Sequence, residues 1–260
     1  LKKRISGKAI DLSGKLAFSK NKSNLIKTNF NNKNRKVIAI YVSNWFDFPH
    51  TFGMTRFLDI LDWVKVTIDN AALNKEVIWL IKPHPAEKWY GGITLKDTLK
   101  EDLPSNIYLL SNDCSGQAVM EVADALVTLH GTAAIEYAAC GKPVLVADKG
   151  WFHDCDFVLF SDSKENYTEL LRGKWYENFD IEQIKANSKL FAGIYFGYPS
   201  WQKGTILPDD TEREAIRNVL PEFVKSNKNT IKKEIKCIKD WLTNDEIDYH
   251  TFKMINYQTF

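Results

Sequence analysis

The residues best suited to chemistry fall in three short stretches, each placed directly after an apolar run. The first is His130-Gly131-Thr132-Ala133-Ala134, which follows Ala125 to Leu129 and opens a segment with helical spacing. Gly131 lets a ligand approach the backbone closely, and Thr132 is a residue type that caps helices. The free amides of Ala133 and Ala134 would then point at whatever sits above the helix start. Such a start binds anions, phosphate above all, although a capped helix can also stand without a ligand. Glu136, one turn further, could reach ribose hydroxyls or be an ordinary exposed helix carboxylate.

The second stretch is Lys82-Pro83-His84-Pro85. Two prolines stiffen this loop and set the direction of the imidazole. His84 could donate to a phosphate oxygen with Lys82 adding positive charge nearby, or it could serve the fold alone. The third is Ser43-Asn44-Trp45-Phe46-Asp47-Phe48-Pro49-His50. Asp47 and His50 could work as an acid/base pair, and an Asp and a His near aromatics also form turns. Ser43 and Asn44 would line the same ligand edge.

Other chemistries find no support. There is no Walker A loop, no GxGxxG after the first apolar run, no GxSxG elbow and no paired acids at metal-ligand spacing. That argues against nicotinamide, ATP and hydrolase readings, and no metal or other cofactor is expected. The 4 cysteines, Cys114, Cys140, Cys155 and Cys237, show no CxxC or related spacing. Reduced thiols in the cytosol are the simple expectation.

Positioning these loops requires a regular frame. Lys36 to Val42, Val77 to Ile81, Ile107 to Leu110, Ala125 to Leu129 and Val144 to Ala147 are short β-branched apolar runs, the pattern of buried parallel strands. Apolar residues at helical spacing predict a helix over 55–73, a shorter one over 117–122 and another from Thr132 to Ala139, ended by Gly141. Strand and helix in alternation mean an α/β fold with a Rossmann-like parallel sheet. In such sheets ligands bind beyond the carboxyl ends of the strands, where all three stretches lie. Helices are expected over 164–172, 181–191 and most of 210–243, with an aromatic loop over 194–209.

The chain of 260 residues has 44% apolar residues and a net charge of +2, as an ordinary globular protein does. No apolar run approaches the ~20 residues needed to cross a bilayer, and Leu1-Lys2-Lys3-Arg4 is not followed by the apolar core of a signal peptide. Residues 1–36 carry many basic residues against Asp11 alone, and a second basic cluster runs from Lys225 to Lys239. These tracts read as solvated or connecting surface, or as contact with an anionic inner membrane face or acidic polymer. No recognition motif accompanies the charge, so nucleic acid is not expected.

Taken in order, Asp47-x-Pro49-His50, Trp79 to Pro85, Ala123 to Tyr137 and Gly141 to Ala147 resemble the capsule polysaccharide biosynthesis family, which includes Kdo transferases. The likeness covers roughly residues 30–175. It implies the carboxy-terminal half of a GT-B glycosyltransferase, with the active site in a cleft between two Rossmann-like domains. Residues 1–36 would be the connecting tail of an amino-terminal domain outside this chain, 37–209 the nucleotide-sugar-binding domain, and 210–260 helices packing back on the other domain.

By this resemblance His84 and Pro85 match an HP motif that holds a CMP phosphate in related CMP-sugar transferases. His130, Gly131, Thr132 and Ala133 match a helix start with the same task, with Thr132-Ala133 where the sialyltransferase pattern has a Ser/Thr pair. Glu136 matches a ribose-binding carboxylate. The implied partners are a sugar nucleotide, CMP-Kdo or a related CMP-sugar, and a polysaccharide or glycolipid acceptor. Enzymes of the CDP-glycerol glycerophosphotransferase and UDP-GlcNAc 2-epimerase types share the plan. Their Asp-Tyr-Ser-Ser and Asp-Ser-Gly-Gly stretches are absent here. A non-catalytic nucleotide-binding module would share the phosphate loop.

Overall fold

The computed structural model describes residues 2–5, 30, 34–44, 56–87, 93–99, 103–195 and 213–243. Asp47 and His50, the expected acid/base pair, lie outside the described residues, as do 196–209 of the aromatic loop and most of the 1–36 connector. The chain divides into two compact units, residues 1–191 and 192–260.

The first unit is built on a 6-stranded sheet, parallel throughout. Its strands are β1 (Lys36–Tyr41), β2 (Val77–Lys82), β3 (Ile107–Leu109), β4 (Ala125–Thr128), β5 (Val144–Val146) and β6 (Leu159–Phe160). They lie in the order β3-β2-β1-β4-β5-β6. The chain therefore winds one way from β1 and the opposite way from β4, and these two strands are neighbours. All 6 residues of β2 and all 4 of β4 are buried, which is why, up to their last residues Lys82 and Thr128, they read as continuous apolar runs rather than alternating ones. The expected sheet is thus present. β6 was not expected: its 2 residues are half-buried and too short to make a pattern.

The helices follow the strands. α1 (Ile60–Ala71) joins β1 to β2, α2 (Gly116–Val122) joins β3 to β4, and α3 (Ala133–Ala139) joins β4 to β5. α4 (Lys164–Arg172) and α5 (Ile181–Tyr195) follow β6. α1 begins later than the predicted 55–73 because Asp59, extended at φ −161°, accepts the Asp62 amide and starts the helix there. The expected helical start at Thr132 is also one residue early. In the second unit α6 (Arg213–Ser226) and α7 (Lys228–Leu242) fill the predicted 210–243, separated at Asn227. No helix among the described residues is long and apolar enough to cross a membrane.

α1 and α4 are locked together by a buried polar contact. The Trp63 indole donates to the Tyr167 hydroxyl at 3.0 Å, and the Thr67 and Tyr167 hydroxyls share a bond of 2.8 Å. Phe57 meets the same tyrosine ring edge-on at 5.7 Å. Tyr167→Phe leaves the indole N–H buried without an acceptor, a loss of about 1–3 kcal/mol. The expected outcome is a lower urea midpoint with an unchanged slope.

Candidate functional site

The winding reverses between β1 and β4, and it is at the carboxyl ends of such a pair that parallel sheets form their ligand crevice. The strand ends are level: Tyr41 pairs with Lys82 on one side and with Thr128 on the other, and Thr128 pairs with Val146. Neighbouring strands lie about 4.8 Å apart, so Lys82 and Thr128 start the two flanks roughly 10 Å from each other. The three stretches singled out by residue type therefore leave one edge of the sheet: Ser43-Asn44 after β1, Pro83-His84-Pro85 after β2, and His130 to Ala133 after β4.

Thr128 ties the crevice together. Its hydroxyl donates to the Tyr41 carbonyl at 3.2 Å and accepts the Gly131 amide at 3.2 Å. A Cβ on residue 131 would stand 2.8 Å from that hydroxyl oxygen, so the turn requires glycine for space.

Two expectations about this turn are corrected. Thr132 already has helical φ and ψ of −61° and −17°, and its side chain makes no cap. A capping hydroxyl needs an extended backbone to reach the amides two or three residues on. The Ala134 amide is also not free: it donates to the Gly131 carbonyl at 3.1 Å, and Ile135 donates to Thr132 at 3.0 Å. The amides that meet no acceptor among the described residues are those of Thr132 and Ala133.

Lys82 is 3% exposed. Its ammonium stands 5.8 Å from the centre of the Tyr41 ring, and no carboxylate among the described residues pairs with it. Burial lowers its pKa below the usual lysine value, and the nearby Cys114 thiol only partly offsets this. The same burial raises the Cys114 thiol. The sequence suggested a lysine near His84; the structure makes it a desolvated cation at the carboxyl end of β2.

Asn44 is equally buried, at 2% exposure, and neither its Nδ2 nor its Oδ1 has a hydrogen-bond partner among the described residues. The asparagines at the amino edge behave differently. Asn106 donates to the Asn74 carbonyl at 2.9 Å, Asn74 to Gly173 at 3.0 Å and Asn70 to Val66 at 2.7 Å. Asn112, in the turn after β3, keeps an unmet oxygen. Trp79, Trp175 and Arg35 each have one unmet N–H. Asn44 alone, among the described residues, has both a donor and an acceptor unmet.

His84 is half-buried, and its Nδ1 accepts the Ala86 amide at 3.2 Å. That bond places the imidazole proton on Nε2, which makes Nε2 a donor. His130 packs under Gly150, where a Cβ would come within 2.9 Å of the histidine Cβ. Burial lowers the His130 pKa, opposed by the charge of Asp148. Glu136 is 2% exposed, which rules out the ordinary surface carboxylate. Its charge adds to burial in raising the phenols of Tyr41 and Tyr137, whose hydroxyls lie 3.2 Å apart.

Residue types alone missed several members of this edge. Tyr41 donates to the Gly116 carbonyl at 3.2 Å and so seats the start of α2 above β1. Arg56 donates to Ala147 at 3.3 Å and to the Ser161 hydroxyl at 2.9 Å, fastening its segment to the ends of β5 and β6. Asp148 is 1% exposed beside His130. A strand-end position was the available signal for Tyr41, Thr128 and Asp148. Among the described residues no group of three or more His, Cys, Asp or Glu could hold a metal ion.

No known family model matches the chain, and no curated protein matches it. Solved structures do. One is the wall teichoic acid polymerase TagF, at 16% identity over 65% of this chain and 42% of that one, with a TM-score of 0.40. Another is HepE of Anabaena in complex with UDP-glucose, at 13% identity over 72% and 51%, with a TM-score of 0.45. A third is UDP-GlcNAc 2-epimerase from Neisseria meningitidis bound to UDP-GlcNAc, at 16% identity over 66% and 47%, with a TM-score of 0.35. The chain spans about half the length of these structures or less. Likeness at this level decides no chemistry, which has to come from the crevice itself.

Two outcomes are expected. Gly131→Ala destabilises by about 1–3 kcal/mol through overpacking against Thr128. The double variant with Thr128→Ala loses less than the sum of the two single losses in urea unfolding. Lys82→Met raises the urea midpoint at neutral pH, because it removes a buried cation that pairs with no carboxylate among the described residues. A lysine pKa lowered in the folded state destabilises fully below that pKa. The gain from Lys82→Met therefore fades as pH rises through the lowered value toward 10.5 and beyond.

Proposed function

We propose that this chain is the nucleotide-sugar-binding half of a GT-B glycosyltransferase that acts in bacterial capsule or other surface polysaccharide synthesis. CMP-Kdo or a related CMP-sugar is the donor. The observation that carries this reading is the buried Asn44 amide, unmet among the described residues, just after β1 where the sheet reverses, with the buried Lys82 ending the neighbouring β2. A phosphate answers the cation, and the hydroxyls or base edges of a nucleotide answer both halves of an amide. The order of motifs from Asp47 to Ala147 favours the capsule family among chains that use such a crevice.

In the proposed reaction the acceptor hydroxyl oxygen bonds to the anomeric carbon. The bond from that carbon to the nucleotide phosphate breaks, and its electron pair leaves with the phosphate. The hydroxyl proton passes to a base, for which Asp47 and His50 are the proposed pair. Lys82, the His84 Nε2–H and the Thr132 and Ala133 amides stabilise the charge gathering on the departing phosphate. Such groups act most strongly where water is excluded. No cofactor enters this scheme. The polysaccharide or glycolipid acceptor is held by an amino-terminal domain, and the reaction takes place in the cytoplasm.

Calorimetric titration with CMP, CDP, UMP and UDP tests the proposal. CMP should bind in preference, and Asn44→Ala and His84→Ala should each weaken it about 10–100-fold by removing a bond to a buried or charged ligand group. A preference for uridine nucleotides overturns the CMP-sugar donor. CMP binding that is unaltered in both variants overturns the site.

A further inference from the structure

α7 carries a pattern that nucleotide binding does not use. Ile231, Ile235, Ile238 and Leu242 recur at helical spacing, and Lys232, Lys236 and Lys239 each follow one of the isoleucines. Lys228 continues the same row one turn earlier. At 100° per residue, this arrangement sets a lysine row alongside an isoleucine row. Lys228, Lys232, Lys233, Lys236 and Lys239 are all exposed, and no ion pair among the described residues reaches them. The helix has only Glu234 and Asp240 to set against them. Ile231 is 9% exposed, whereas Ile235 is 56% exposed beside the lysine row.

We infer that this face of α7 lies on an anionic lipid surface. Lysine stems can rest along apolar surface while their ammonium groups reach the phosphates, and an isoleucine next to them can enter the boundary of the acyl chains. Both halves of the pattern are then used. A nucleic acid would meet the lysines and leave Ile235 in water. A second copy of the chain would set one lysine row against another. The inference is independent of which nucleotide the crevice takes.

The test is flotation of the 260-residue chain with phosphatidylcholine vesicles, with and without phosphatidylglycerol. Binding is expected only with the anionic lipid, and it should fall as salt rises. Each lysine near such a surface contributes about fivefold, so the double variant Lys232→Gln, Lys236→Gln should weaken partitioning roughly 25-fold. Ile235→Ser should weaken it as well. All these positions are exposed, so circular dichroism and the urea midpoint should not move. Three results would overturn the inference: equal binding to neutral vesicles, no binding to either kind, or full anionic binding by Ile235→Ser. The last would make the helix a polycation without an inserting face, as would retention on heparin without vesicle binding.

Discussion

The hydrogen bond from the Thr128 hydroxyl to the Tyr41 carbonyl joins the two strands between which the sheet reverses its winding. Everything at the carboxyl edge is arranged around that seam. The loops after β1 and β4 must part there, because their helices return the chain in opposite directions. The same hydroxyl accepts the Gly131 amide and so fixes how the chain turns into α3. Tyr41, on the other side of the seam, holds the start of α2 through its phenol. One side chain oxygen thus aligns a strand end, a turn and, through its partner strand, a second helix start.

The two edges of the sheet treat buried polarity in opposite ways. At the amino edge, asparagine side chains close the loops: Asn106 bonds to Asn74, Asn74 to Gly173, and Arg35 to the carbonyls of Lys75 and Val77. At the carboxyl edge Asn44 is as deeply buried, and neither half of its amide meets a partner among the described residues. A buried amide without partners costs about 1–3 kcal/mol, and folded proteins retain few of them. Local rules are broken in this way chiefly where a ligand completes the structure. The position of Asn44 at the reversal gives that general expectation a place in this fold.

Strands and loops were legible in the sequence to different depths. β2 and β4 are buried on both faces, so all but their last residues, Lys82 and Thr128, are apolar, and the runs stood out. β6 has 2 half-buried residues and leaves no such trace. The three loops were found because strand ends mark the ligand edge of a parallel sheet. Burial could not be read in the same way. Lys82, Glu136 and Asn44 are residue types usually found on surfaces, and only tertiary packing puts them below 4% exposure. The Thr132 cap failed for a related reason. Residue type suggested a cap, and the backbone angles that decide it come from how the turn sits on Thr128.

In the proposed function Lys82 meets the donor phosphate, and its surroundings suit reversible binding. Three buried carboxylates, Glu87, Glu136 and Asp148, belong to the same edge, and any of them could have been placed to neutralise the cation; Glu87 accepts the Leu95 amide. Instead the charge of Asp148 acts on His130, and that of Glu136 on Tyr41 and Tyr137. Among the described residues Lys82 is left with a tyrosine ring and the Cys114 thiol, which only partly offset its burial. A carboxylate partner would stabilise the empty protein but would have to be displaced by every incoming phosphate. Without one, the desolvated ammonium stays destabilised until an anion arrives. Its attraction for that anion is then stronger than it would be in water. Low stability of the empty site and strong pull on an anion are in this way two consequences of one burial.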